Sequence, residues 1–174
     1  IFLIGLFLNC SPFVKWSDTE LVFKPWENVR ILGVLQRIAL CYFFASVIIY
    51  YGKSRMALFI GMMILVIYWV LTFTLGVPGH PYSLSGYFGN AIDLNVLGIS
   101  HVYKGEGVPF DPEGLTSTLP AIVQVIFGYL VGEYIQLKGK NFEMLAKLIL
   151  TGVILVFVGY IWDFSFPINK KIWT

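Results

Sequence analysis

Four long, predominantly apolar runs decide what this chain can fold into: residues 34–51, 56–75, 119–137 and 145–162, with a shorter fifth at 1–8. Each of the four has about the ~20 residues that cross ~30 Å of hydrocarbon at 1.5 Å per residue. None alternates apolar with polar, and each far exceeds the ~10 residues of a barrel strand, so they are not strands. Only 13% of the residues are charged, against about a quarter in soluble domains. The expectation is an all-α fold, a polytopic transmembrane helix bundle of about five spans with the first truncated. Residues 1–174 then form a single integral membrane domain. The chain opens inside an apolar run without Met and stops at NKKIWT, as an internal fragment of a larger bundle would.

Successive spans alternate sides of the bilayer, which sorts the loops into two sets. Loops 52–55 and 138–144 are short and hold Lys53, Arg55, Lys138 and Lys140. Loops 9–33, 76–118 and 163–174 are longer and carry basic residues at lower density. The positive-inside rule puts the short loops in the cytoplasm and the long ones outside. Loop 76–118 is too long to be structureless in a compact protein. Its Gly and Pro punctuation (GVPGHPYSLSGYFGN, then GEGVPFDPEG) promises a series of fixed turns. Its Tyr82, Tyr87, Phe88 and Tyr103 suit a membrane interface. It is expected to be an ordered extracytoplasmic loop folded back over the mouth of the bundle.

One span resists a purely apolar reading. In WENVRILGVLQRIALCYFFASVIIYY, Gln36 and Arg37 fall among its first residues, with Arg30 seven positions earlier. Positions seven apart share a helix face, which sets Arg30 at the outer interface and Arg37 roughly 10 Å deeper. A charge at the centre of a span costs ~2.5–3.5 kcal/mol, so such residues face a cavity or a partner. Two readings stay open. The guanidinium forks can hold a phosphate or carboxylate, or Arg37 snorkels outward or pairs with Asp111 or Glu113.

In FDPEGLTSTLPAIVQV, Asp111, Pro112 and Glu113 can open a helical turn as cap, first residue and acid near the positive end. Thr118, Leu119 and Pro120 can start the next span. The other reading gives Asp111 and Glu113 a polar, hydroxyl-rich acceptor to bind, or a base to orient. His101 is a candidate general base with Asp93 as its orienting partner, or else a hydrogen-bonded loop histidine. His80, between Gly79 and Pro81, fits turn chemistry. Cys41 fits a small packing residue, and Cys10 and Cys41 show no metal or redox spacing. Gly128 and Gly132 have the spacing that lets helix backbones approach closely. Glu133 lies within reach of the basic loop at 138–144. Without zinc-ligand spacing, Gly-rich phosphate cradle or nucleophile elbow, no metal is expected. Nothing supports nucleic-acid binding.

The segments VRILGVLQRIALCYFFASVI, NAIDLNVLGISHVYKG, FDPEGLTSTLPAIVQVIFGYLVGEYI and FPINKKIWT together resemble the membrane domain of the heparan-α-glucosaminide N-acetyltransferase family. The similarity is strongest to its bacterial-type members, and GVLQR and DPEG are the most diagnostic elements. The resemblance implies a multi-pass acetyltransferase that moves an acetyl group from cytosolic acetyl-CoA to the amine of glucosamine or a related amino sugar on the far side of the membrane. It places the protein in the inner (plasma) membrane of a bacterium. Arg30, Gln36 and Arg37 match the family's RIPGVLQR signature, with Leu32 where the family usually has Pro, and are assigned to the cofactor. Asp111 to Gly114 match DPEG, and Asp111 and Glu113 are assigned to the acceptor. The family's proposed catalytic histidine lies upstream of Ile1, so this chain alone is expected to be inactive and His101 is no substitute for it.

The expected partners are therefore acetyl-CoA, an amino-sugar or glycan acceptor and the lipid bilayer, with the oligomeric state open and a homo-oligomer among the options. Two rival functions stay on the table. One is a membrane O-acyltransferase acting on cell-surface polysaccharide. The other is a non-enzymatic polytopic transporter, against which the lack of Gly or Pro at mid-span in residues 34–51, 56–75 and 145–162 counts.

Overall fold

The computed structural model describes residues 1–17, 20–23 and 25–174. Asp18, Thr19 and Lys24 of the first long loop lie outside the described residues, as do the side chains of Lys15 and Ser17. Five helices carry the fold: α1 (Phe2–Asn9), α2 (Val34–Leu75), α3 (Phe88–Leu97), α4 (Thr118–Lys138) and α5 (Phe142–Asp163). Helices α2, α4 and α5 are long and apolar enough to cross a membrane, and the chain is an all-α integral membrane protein.

Helix α2 has 42 residues, about twice what ~30 Å of hydrocarbon requires. It is two spans joined at Lys53, whose φ of 53° and ψ of −179° break the helical geometry. The break falls in the short basic loop expected at 52–55. Both halves pack against α4. Cys41, Ala45 and Ala57 meet Ala121, Ile122 and Ile126 in one core cluster. Small residues from both halves of α2 let α4 seat closely, as packing between membrane helices requires. Cys41 is 3% exposed within this cluster.

Helix α1 lies on the start of α2 at Gly5, where a Cβ would sit 2.7 Å from Gln36 Oε1 and 2.8 Å from Leu35 Cβ. The first long loop also carries two short antiparallel strands, β1 (Val14–Ser17) against β2 (Glu20–Phe23), with Val14 opposite Phe23. This strand pair and α3 were not anticipated. Helix α3 replaces part of the expected run of turns in loop 76–118, and that loop does fold back onto the end of the bundle. Two of its expected interfacial aromatics are instead core. Tyr87 and Phe88 are buried with Tyr68, Phe110 and Ile172, because α3 turns them inward. A Cβ at Gly128 or Gly132 would meet nothing within 4 Å, so their spacing serves no close helix approach among the described residues. Helix α5 buries none of its residues. It touches the second half of α2 where Trp162 meets Trp69 edge to face, centroids 5.7 Å apart. The chain then doubles back, and Ile172 is fully buried.

Candidate intramembrane site

Two arginines converge on one short segment, residues 111–118, from different backbone settings. Arg30 is not on the helix at all. It sits in extended chain before α2, which begins only at Val34 after the extended Gly33. The shared-face expectation for Arg30 and Arg37 therefore fails, because the seven-residue spacing spans non-helical chain. Arg30 donates from Nε to Asp111 Oδ2 at 3.0 Å and from Nη2 to Asp111 Oδ1 at 2.6 Å, and it also pairs with Glu113. Its guanidinium lies 4.8 Å from the Tyr103 ring centroid. Burial works against the Arg30 charge, but the hydrogen bonds and fields of Asp111 and then Glu113 offset it, and its pKa rises above the ordinary value.

Asp111 is 2% exposed and fully engaged, since its oxygens also accept from the N–H groups of Glu113 (3.0 Å) and Tyr103 (3.3 Å). Residues 111–114 form a closed turn, with Gly114 N donating to Asp111 O, and not the start of a helix. The helix start lies at Thr118, as expected. Gly114 is needed there because a Cβ would fall 1.8 Å from Asp93 Oδ2. Asp93 itself accepts from Leu115 N at 2.8 Å. Burial pushes its carboxyl up to about 6, against the Leu115 hydrogen bond, with repulsion from Asp111 adding and Arg37 opposing.

Arg37 does not pair with either acid. It donates from Nη2 to Pro112 O and Ser117 Oγ and stacks on Trp173, 4.4 Å from the ring centroid. Its Nε and Nη1 are buried without a hydrogen-bond partner among the described residues, and the residue is only 5% exposed. A buried charge with unsatisfied donors costs several kcal/mol, and these N–H groups are left able to take a further acceptor. Arg37 lines a cavity of ≈ 310 Å³ with Cys41, Tyr42, Gln124 and Trp173. A second cavity of ≈ 390 Å³ shares Gln124 and Trp173 and is bordered by Leu65 and Lys170. A third, of ≈ 510 Å³, shares Tyr42 and Val125 with the first and continues along the α2–α4 seam to Tyr50.

Gln36 does not join Arg37. One residue along the helix turns it about 100° away, against Gly5 of α1, where its Nε2 is buried without a partner. His101 is not paired with Asp93; its Nδ1 is 2.7 Å from Val29 O. A carbonyl only accepts, so Nδ1 carries the proton and Nε2 is free of one in the neutral ring. His80 occupies a turn, with Ser83 N and Oγ both donating to its carbonyl. Glu133 forms no ion pair among the described residues. No group of three metal-ligating side chains occurs among them either.

Three contributors escaped the sequence reading. Gln124 is a polar residue inside the apolar run 119–137, a signal present and overlooked. Ser117 and Trp173 carry no local signal, since a serine before a helix and a tryptophan after two lysines are ordinary. Trp173 is held by its neighbour: Tyr68 in the second half of α2 donates to Ile172 O and lies 2.8 Å from the hydroxyl of Tyr87. Tyr87 in turn donates to Thr116 Oγ1 at 2.9 Å, and burial pushes its phenol up to about 12.

Fold and site together define a polytopic helical membrane protein with a buried arginine facing an intramembrane cleft. Among known proteins the chain is similar to the heparan-alpha-glucosaminide N-acetyltransferases of Mus musculus and Homo sapiens, at 26% and 27% identity over 86% of its length. It is a distant relative of that family, as its motifs led one to expect. It spans about 30% of the length of these relatives. No family model matches the chain.

Proposed function

We propose that this chain is part of a transmembrane N-acetyltransferase, with acetyl-CoA as donor and the amine of glucosamine or a related amino sugar as acceptor. The observation that carries the reading is Arg37, whose unpartnered Nε and Nη1 donors lie buried beside a cleft in a distant relative of named N-acetyltransferases. Attack of an amine on a thioester carbonyl moves negative charge onto the carbonyl oxygen, and fixed donors in a dry site stabilise that charge most where it develops. Arg37 is assigned that task. The Pro112 carbonyl, Ser117 hydroxyl and Trp173 ring hold its guanidinium still, which is the preorganisation such a role needs. Arg30, Asp111 and Glu113 form the brace that fixes residues 111–117 behind it. The attacking amine must give up a proton, and His101 is not among the residues lining the Arg37 cavity.

The two neighbouring cavities that share Tyr42 and Val125, one at Arg37 and one reaching Tyr50, support a donor approaching from the Lys53 end of the bundle. That end, with residues 52–55 and 138–144, is proposed to face the cytoplasm of a bacterium whose inner membrane holds the protein, on the strength of its clustered lysines. The test uses the full-length protein in sealed vesicles, with labelled acetyl-CoA on the face carrying those loops and glucosamine on the other. Transfer of label to glucosamine is expected, and Arg37→Ala is expected to lower kcat by about 10²–10³, as loss of an oxyanion donor does. Binding of acetyl-CoA without transfer to glucosamine would shift the reading to an O-acyltransferase. Absence of acetyl-CoA binding would overturn the enzyme reading.

A further inference from the structure

The 390 Å³ cavity beyond Trp173 is left unused by the donor reading, and two of its polar side chains, Gln124 and Lys170, are free, while the Thr174 hydroxyl is engaged with Asn169 N and Pro167 O. Gln124 has no hydrogen-bond partner for its amide among the described residues, and it borders both this cavity and that of Arg37. Lys170 lines it too and forms no ion pair among those residues, whereas its neighbour Lys171 is held by Glu106. Trp173 supplies a flat aromatic wall to the same cavity, and its indole is fixed by stacking on Arg37. By contrast, Asp111 commits both oxygens to Arg30 and to backbone N–H groups, and Glu113 is tied to Arg30.

From this contrast we infer that the acceptor binds in the cavity of Trp173, Gln124 and Lys170, and not at Asp111 and Glu113. The occupant is a pyranose ring. Such a ring has an apolar C–H face that suits an indole plate and a rim of hydroxyls that suits an amide and an ammonium. The volume falls within the ~300–1,000 Å³ of small-molecule sites. Gln124, shared by the two cavities, would place the sugar beside the Arg37 donors, so that the amine faces the carbonyl under attack. The assignment rests on the amino-sugar reading above and extends it to a particular subsite.

The experiment measures glucosamine binding to the detergent-solubilised full-length protein by saturation-transfer NMR, separately from turnover. Gln124→Leu and Lys170→Gln are each expected to weaken glucosamine binding by about 3- to 10-fold, the worth of one hydrogen bond. Binding of acetyl-CoA is expected to be unchanged in Lys170→Gln, whose side chain lines only the acceptor cavity, and Lys171→Gln is the control expected to bind like the parent. The two cavity substitutions conserve volume or lie on an exposed side chain, and retained thermal stability verifies that each variant folds. If both bind glucosamine like the parent, or if the parent binds none, the subsite is overturned. If Asp111→Asn, folded, is the variant that loses glucosamine, the assignment is overturned in favour of the acids. Glucosamine binding that is lost in Gln124→Leu, in a parent that transfers no acetyl group, sustains the subsite and defeats the catalytic reading.

Discussion

At the scale of single residues, the site is a set of charges whose partners are assigned by geometry. Arg30 and Arg37 stand seven apart in the sequence, yet one is paired with two carboxylates and the other is held by an uncharged carbonyl, hydroxyl and ring. Asp93 is a further acidic group of the cluster and yields a pH test. Its carboxyl titrates near 6 in the folded protein, above the ~3.9 of an exposed Asp. The folded state therefore holds the proton more tightly. Below about pH 4 both states are protonated and Asp93 costs nothing. As pH rises from 4 through 6, stability falls, levelling at a loss of about 3 kcal/mol. Asp93→Asn keeps an oxygen for Leu115 N and removes the charge. Thermal unfolding in detergent between pH 4 and 8 is expected to show this slope in the parent and its loss in the variant. An unchanged slope would show that Asp93 does not titrate in this range.

At the scale of elements, the Lys53 junction decides whether 42 helical residues become one rod or two spans. A lysine at φ 53° and ψ −179° stands beside a region of backbone space that only glycine enters freely, at a cost of order 1–3 kcal/mol. Lys53→Gly is expected to raise stability by on the order of 1 kcal/mol, seen as a higher unfolding temperature in detergent, with the fold unchanged. A fall would mean that the ammonium contributes more than the strain costs. The spans themselves were legible as apolar runs, and the ends of α2 and α4 fall within a residue or two of expectation. The β1–β2 pair and α3 were not legible, since short segments in Gly- and aromatic-rich loops take their conformation from what they pack against.

At the scale of the whole molecule, the last nine residues close the site. Tyr68 joins three segments far apart in sequence, namely the second half of α2, the start of α3 through Tyr87 and the chain end through Ile172. Tyr68→Phe removes this junction and leaves the Ile172 carbonyl buried without its donor, a loss of ~1–3 kcal/mol. The expected outcome is faster trypsin cleavage after Lys170 and Lys171, with helices α2 and α4 unaffected by circular dichroism. Unchanged cleavage would show that packing of Ile172 alone holds the segment.

The sequence by itself determined the class, the spans and the identity of the polar residues in GVLQR and DPEG, because the energy of placing apolar side chains in lipid and charges out of it depends mainly on residue type and run length. Only the tertiary structure decided which arginine meets the acids, that Gln36 faces α1 and not the cleft, and that Trp173 and Gln124 complete the cavities. Those outcomes depend on distances between segments remote in the chain. A buried donor is satisfied by whichever acceptor the packed backbone brings within about 3 Å, and no local pattern encodes that choice.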